Sequence, residues 1–343
     1  MKILDDIKLD FTDVLILPKR SEYTTRADVK LERTIKFKYS PLTWTGIPIM
    51  ISNMDTTGTV EMAMKLQEFH IVTILHKYYK YTDIPDNLDR EYFAITSGIQ
   101  EYDLKNLDEM IEKVNPKFIC LDVANGYLNG FIEKCKSIRQ KYPEKIIIAG
   151  NICTSEGVLD LILNGEVDIV KVGIGNGSCC TTRKQTGIGL PQLSAVIETS
   201  DTAHGLGAHI ISDGGIQVIG DFAKAYGAGA DFVMSGSMFA AHDESGGDIV
   251  EEDGKKYKIF YGMSSASAMN KYAGGVANYK VSEGKTVKLD YRGPIKNTIQ
   301  DILGGLRSTM TYIGAKKIKD ISKCTTFIKV NRQLNQIYNG KEV

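Results

Sequence analysis

Eight short apolar runs separated by stretches with helical periodicity constrain this chain more than any other feature. They occupy residues 47–53, 71–75, 92–96, 118–123, 146–150, 167–172, 209–212 and 231–235. Most are nearly continuous rather than alternating, the pattern of parallel strands buried on both faces. Amphipathic stripes lie between them: Leu104, Leu107, Ile111 and Val114 form one, and Phe131, Cys135 and Ile138 another. Eight β units, each followed by a helix candidate, specify a TIM (β/α)8 barrel better than an open doubly wound sheet. At 343 residues, one large α/β domain is within reach.

The most irregular stretch, about 241–294, lies between the eighth run and a last helix expected over 295–312. It is rich in glycine and charge and too long for an ordinary connection, so it reads as a catalytic insertion or flap. No linker to a second domain interrupts the pattern, and a single catalytic barrel over 1–343 is expected. Lys+Arg and Asp+Glu are both 42, which argues against a general nucleic-acid or membrane-surface binder. The opening Met1-Lys-Ile-Leu-Asp-Asp-Ile7 offers no signal-peptide core, and no stretch approaches the ~18 consecutive apolar residues of a membrane helix. Six cysteines are scattered at 120, 135, 153, 179, 180 and 324 with no small-scaffold framework. Cys120, Cys135 and Cys153 fall in apolar elements as small core residues, and a reduced cytoplasmic protein is expected.

In a barrel of this kind the loops after the strands gather at one end and build the site. One such loop carries Cys180, within Gly173-Ile-Gly-Asn-Gly-Ser-Cys-Cys-Thr-Thr-Arg183. A glycine-rich backbone can wrap a ligand while leaving the sulfur exposed, and Thr181, Thr182 and Arg183 follow with hydroxyls for proton relay and a charge that would favour thiolate. The position reads as a nucleophile. The glycines are not a dinucleotide fingerprint, because Ser178 stands in place of the third. Their inward carbonyls are suitable ligands for a hard cation.

Asp213, Gly214 and Gly215 end the seventh run, and Gly236 and Ser237 end the eighth, where barrel enzymes commonly bind phosphate through backbone N–H groups. Asp213 would repel phosphate, so ribose hydroxyls are its likelier ligand; the alternative is that these glycines only make tight turns. Glu283, in the insertion, could accept a proton or orient an amine if folded against the site; alone it is a surface glutamate. Asp55, Lys77 and Asp122 point to the same end, Lys77 toward a carboxamide, a phosphate or a neighbouring acid. His204 and His209 read as structural, and His242-Asp-Glu244 lacks a third metal ligand.

Taken together, these motifs resemble the inosine monophosphate dehydrogenase / guanosine monophosphate reductase family. The resemblance runs from Lys8-Leu-Asp-Phe-Thr-Asp-Val-Leu15 to Arg307-Ser-Thr-Met-Thr-Tyr312 and is most specific at 173–183, 212–215, Tyr261-Gly-Met-Ser264 and Gly274-Gly-Val276 leading to Ser282-Glu-Gly-Lys285. It implies that Cys180 attacks C2 of GMP, ammonia leaves from a thioimidate, and NADPH reduces C2 to give IMP, with Thr182 and Glu283 sharing proton delivery. It further implies nucleotide contacts at Asp213, Gly214, Gly215, Gly236, Ser237, Gly262, Met263, Ser264, Lys280, Ser282 and Gly284. Implied cofactor contacts are Thr25, Arg26, Lys77, Asp122, Val123, Ala124, Gly175, Tyr279, Lys280, Ser308, Thr309, Met310 and Thr311, the last four from a neighbouring subunit of a homotetramer. Gly175, Gly177, Cys180 and Arg183 match a potassium loop, mostly through backbone carbonyls.

The dehydrogenase branch, which oxidises IMP with NAD, is the competing reading. It resolves its adduct with water and carries an Arg-Tyr pair on its flap, where this chain has Lys271-Tyr272, and lysine lacks the guanidinium that role depends on. The paired regulatory domain usual in the dehydrogenase also has no room between Leu75 and Tyr92. A nucleotide-binding regulator without catalysis is a third reading, against which Cys180, Thr182 and Glu283 stand together. Departures from the usual reductase pattern are Asn176 for proline, Cys179 for valine, Ser235 for leucine and Ser237 for glycine.

Overall fold

The computed structural model describes residues 3–276, 278 and 281–331. Its centre is a closed parallel barrel of β1 (Ile49–Ile51), β2 (Val72–Leu75), β3 (Phe93–Ser97), β4 (Phe118–Asp122), β5 (Ile146–Ile152), β6 (Ile169–Val172), β7 (His209–Asp213) and β8 (Phe232–Ser235), with β8 pairing back onto β1. The near-continuous apolar runs have a direct cause. Alternate residues such as Ile146, Ile148, Ile169 and Ile211 fill the barrel interior, while Ile147, Ala149, Val170 and Ile210 meet the helix layer. The hairpin Arg33–Lys36 and Thr43–Gly46 closes the N-terminal end, driving Trp44 against Phe118 and Phe232.

Two expectations need correction. The second unit has no α-helix: residues 76–92 carry only the 3-10 turn Tyr81–Asp83. Asp83, Pro85, Asp86, Asn87 and Asp89 favour turns over helix there, and Leu88 supplies the buried anchor instead. The insertion is also not irregular. Strands Ile249–Glu252, Lys255–Tyr261 and Thr286–Asp290 form an antiparallel sheet, and helix Ala266–Ala273, N-capped by Ser265, crosses between its last two strands. One face of that sheet is solvated, so its strands alternate and carry charge, which hides them from a search for continuous apolar runs. The last helix runs Ile295–Ile313. Among the described residues no helix is long and apolar enough to cross a membrane.

Candidate active site

A cavity of 710 Å³ opens at the C-terminal ends of the strands, between the Cys180 loop, the β7 and β8 loops and the flap. The loop after β6 turns sharply at Gly173 and Gly175, with φ of 151° and 81°. A side chain at Gly173 would meet the Asp213 carbonyl at 2.2 Å, so glycine there lets the β6 and β7 loops touch. Cys180 then follows a tight turn closed by its own N–H donating to the Gly177 carbonyl at 3.0 Å.

Backbone pairing brings a distant acid to this thiol. The Thr181 N–H donates to the Glu283 carbonyl at 2.7 Å, and the Lys285 N–H donates to the Cys179 carbonyl at 2.9 Å. The flap segment therefore lies against the cysteine loop like a short strand. The Cys180 thiol donates to Thr182 Oγ1 at 3.1 Å, and that hydroxyl donates to Glu283 Oε2 at 2.7 Å. The result is a directed proton path from sulfur to carboxylate, across a hundred residues of sequence. It can carry a proton between a nucleophile and an acid on the cavity wall.

The cavity floor holds a charged network that the apolar-run reading passed over. Lys171 on β6 is buried, with Nζ 3.0 Å from Asp122 Oδ1 and 3.4 Å from Asp213 Oδ2. Asn53 donates to Asp122 at 2.7 Å, Asn151 donates to Asp213 at 2.8 Å, and Asn176 donates to the Asp213 carbonyl at 2.7 Å. Burial alone would lower the Lys171 ammonium, but Asp122 and Asp213 outweigh it and push it above its ordinary value. Lysine inside a strand gave no signal of a site; only the barrel closure aims it inward.

A domain profile described as IMP dehydrogenase / GMP reductase domain matches residues 8–335. The chain belongs to this family. It is 54% identical to GMP reductase 2 of Homo sapiens over 98% of both chains. It is 53% identical to GMP reductase of Klebsiella pneumoniae subsp. pneumoniae over 99% of this chain and 100% of that protein. GMP reductase of Caenorhabditis elegans is 52% identical over 100% of this chain and 97% of its own.

Of the residues singled out through the family resemblance, Asp122, Val123, Ala124, Gly175, Gly177, Cys180, Thr182, Asp213, Gly214, Gly215, Gly236, Ser237, Gly262, Met263, Ser264 and Glu283 line the cavity. Gly284 bridges backbone to both Cys180 and Ser265, and Ser282 fastens the same turn by donating to the Gly284 carbonyl at 3.0 Å. Tyr279 and Lys280 lie outside the described residues. Others are not brought to the cavity of the single chain. Lys77 is ion-paired to Asp103 at 3.2 Å. Thr25 and Arg26 sit exposed at a surface 3-10 turn. Ser308, Thr309, Met310 and Thr311 belong to the last helix, with Met310 wholly buried in the core.

Arg183 corrects a further expectation. Its guanidinium turns from the thiol to Asp10 at 3.2 Å and the Leu190 carbonyl at 2.7 Å, so it anchors the loop to the N-terminal segment. Lys271 and Tyr272 are likewise engaged elsewhere. Both donate to Asp55 Oδ2, at 3.0 and 2.8 Å, as Tyr261 does at 2.5 Å. Tyr272 also stacks on Tyr78 with ring centroids 3.6 Å apart, which clasps the flap helix to the β1 and β2 loops. His242 donates or accepts within the fold, to Phe239 and Thr298, and no cluster of three metal-ligating side chains occurs among the described residues.

Proposed function

We propose that this protein reduces GMP to IMP with release of ammonia, using NADPH, and so serves purine nucleotide interconversion. The observation that carries this reading is the Cys180–Thr182–Glu283 hydrogen-bond path at the cavity wall, in a chain more than half identical to proteins named GMP reductase. Cys180, relieved of its proton along the path, adds to C2 of the purine. The 2-amino group takes up a proton from Glu283 through Thr182 and leaves as ammonia, which yields the thioimidate. Bound NADPH supplies the hydride that C2 needs. The sulfur departs as the purine regains its C2–N3 double bond, giving IMP. In this reading the ribose hydroxyls rest on Asp213, and the phosphate on the backbone N–H groups around Gly214, Gly215, Gly236 and Ser237. The Gly262–Ser264 turn and the Ser282–Gly284 turn cover the base.

Asp122, Val123 and Ala124, on the cavity wall, would hold the cofactor. Ser308, Thr309 and Thr311, which do not line the cavity of one chain, would reach the cofactor from a neighbouring subunit of a homotetramer, whereas Met310 is buried in its own core. The loop is suited to a monovalent cation. It offers the carbonyls of Gly175, Gly177 and Cys180 and a buried Thr181 hydroxyl without a partner among the described residues, an oxygen-only donor set carrying no carboxylate. Arg183 contributes its carbonyl rather than its guanidinium. We read the chain as one cytoplasmic catalytic barrel without a paired regulatory domain, its flap at about 241–294.

The dehydrogenase reading requires water activation by the flap. The Lys271-Tyr272 pair, held by Asp55, is not among the residues that line the cavity, which favours the reductase. Incubation with GMP and NADPH tests the choice. NADPH consumption matched by ammonia is expected, and activity confined to IMP with NAD would refute the reductase in favour of the dehydrogenase.

A further inference from the structure

Five charged side chains line the cavity among the described residues: Asp122, Asp213, Glu283, Lys171 and Arg292. Lys171 is spent on Asp122 and Asp213, which it meets at 3.0 and 3.4 Å. Arg292, between the flap's last strand and the last helix, is engaged differently. Its Nη1 donates to the carbonyls of Ser237 and Met238, at 3.2 and 3.3 Å, and to no carboxylate among the described residues. The acid in its field is Asp290, exposed and two residues earlier. The backbone here is fixed from both sides. The Arg292 N–H donates to the Ala241 carbonyl at 2.9 Å, and the Asp243 N–H donates to the Gly293 carbonyl at 3.0 Å. What the guanidinium grips is the turn after β8, wound by the Phe239 and Ala240 N–H groups, which donate to the Gly236 carbonyl, both at 3.0 Å. A trans peptide points its C=O and N–H in opposite directions. The unit whose Ser237 carbonyl faces Arg292 therefore turns its Met238 N–H the other way. Neither that N–H nor the Ser237 N–H has an acceptor among the described residues.

We propose that Arg292 determines specificity for the 5′-phosphate: its guanidinium supplies the charge that selects a nucleoside monophosphate over the free nucleoside. This rests on the reductase reading, in which the phosphate lies on backbone N–H groups around Gly214, Gly215, Gly236 and Ser237. Such N–H groups carry only partial charge, and Asp213 and Glu283 on the same cavity wall oppose a phosphate. Arginine is permanently charged, and its guanidinium presents five donors in a fork that matches phosphate. Two of the five are used on the carbonyls of the turn, which leaves three and fixes the plane of the fork. The same contacts set the outward N–H groups of the turn. One side chain thus both orders the cradle and supplies its charge.

The test is titration calorimetry with GMP, and displacement of bound GMP by excess inosine, which lacks the phosphate. Wild type is compared with Arg292→Gln and Arg292→Lys, with thermal melts to verify folding. Arg292→Gln is expected to weaken GMP by about 10–100-fold, through loss of charge-assisted hydrogen bonds to the phosphate, and to leave inosine within about twofold. Arg292→Lys keeps the charge without the fork, so GMP should weaken by about 3–10-fold while inosine again stays within about twofold. The lysine variant carries the test if the glutamine variant does not fold. A folded variant of either kind that binds GMP as wild type does overturns the proposal. So does one that weakens GMP and inosine by the same factor, since the arginine would then only prop the turn. Wild-type protein that binds no GMP would instead sink the reductase reading itself.

Discussion

Replacing Thr182 by valine removes one oxygen and almost no volume, so it isolates the proton path. That oxygen accepts from Cys180 at 3.1 Å and donates to Glu283 at 2.7 Å, and the sulfur and the carboxylate share no direct hydrogen bond. If proton delivery to the leaving amine runs through it, its loss forfeits general acid–base assistance of about 10²–10⁴-fold in kcat, or ~2.7–5.4 kcal/mol of barrier. The fold should tolerate the change. Two side-chain hydrogen bonds at a half-buried site are together worth about 1–3 kcal/mol, less than the stability of an ordinary domain. The assay is single-turnover oxidation of NADPH with GMP in excess, followed at 340 nm and paired with ammonia release. Thr182→Ser should recover most of the rate, because the hydroxyl returns. Alkylation of Cys180 by iodoacetamide separates formation of the nucleophile from departure of ammonia. A valine variant that turns over within about threefold of wild type would show that protons reach the amine by another route.

Cys180→Ala is expected to abolish turnover while GMP binding by calorimetry stays within about tenfold, since in the proposed mechanism the thiol forms the covalent bond but is one contact among many; preserved turnover would refute the covalent path. Asp55→Ala strips Tyr261, Lys271 and Tyr272 of their shared acceptor. It should loosen the flap that carries Gly262–Ser264 and Glu283, lowering kcat/KM for GMP about tenfold or more and speeding limited proteolysis there; unchanged kinetics and cleavage would count against the clasp. Asp231, buried at the closed end of the barrel, accepts from Arg33 at 2.9 Å and pairs with His204 at 2.8 Å. Burial alone would raise its carboxyl, but His204, His209 and Arg33 outweigh that and hold it well below the usual carboxylate range. Its contribution is therefore present above about pH 4 and lost as pH falls through the depressed value. The Asp231 hydrogen bond raises His204, despite opposing burial, so that share is complete below about pH 6.5 and fades as pH rises through the raised value. Urea denaturation of Asp231→Ala should show a loss of about 3–5 kcal/mol at pH 6 that narrows above pH 7; a pH-independent loss would exclude the histidine share.

Much of the site was legible because it sits on loops with unusual chemistry. Cys180 among glycines, and Gly214-Gly215 after a strand, announce themselves without any tertiary contact. Glu283 was legible only through the family resemblance: by itself it is one acid on a charged insertion. Lys171 was not legible, since a lysine within an apolar run usually snorkels to the surface, and nothing local indicates that this one points into a barrel. Arg183 was misread for the converse reason. Its position three residues after Cys180 suggested a charge for the thiol, yet a long, flexible side chain can choose a distant partner, here Asp10.

What the residues decide alone is the barrel and the place of Cys180 on its rim. Short continuous apolar runs suit strands buried on both faces, and eight such units fit a closed ring better than an open sheet. What only the folded chain decides is which polar groups meet. The thiol, Thr182 and Glu283 form a path because the flap's backbone pairs with the cysteine loop, and Lys171 joins Asp122 to Asp213 because β4, β6 and β7 converge on one floor. Burial leaves its mark on every residue of a strand, whereas a hydrogen bond depends on two atoms whose separation in sequence carries no trace of their separation in space.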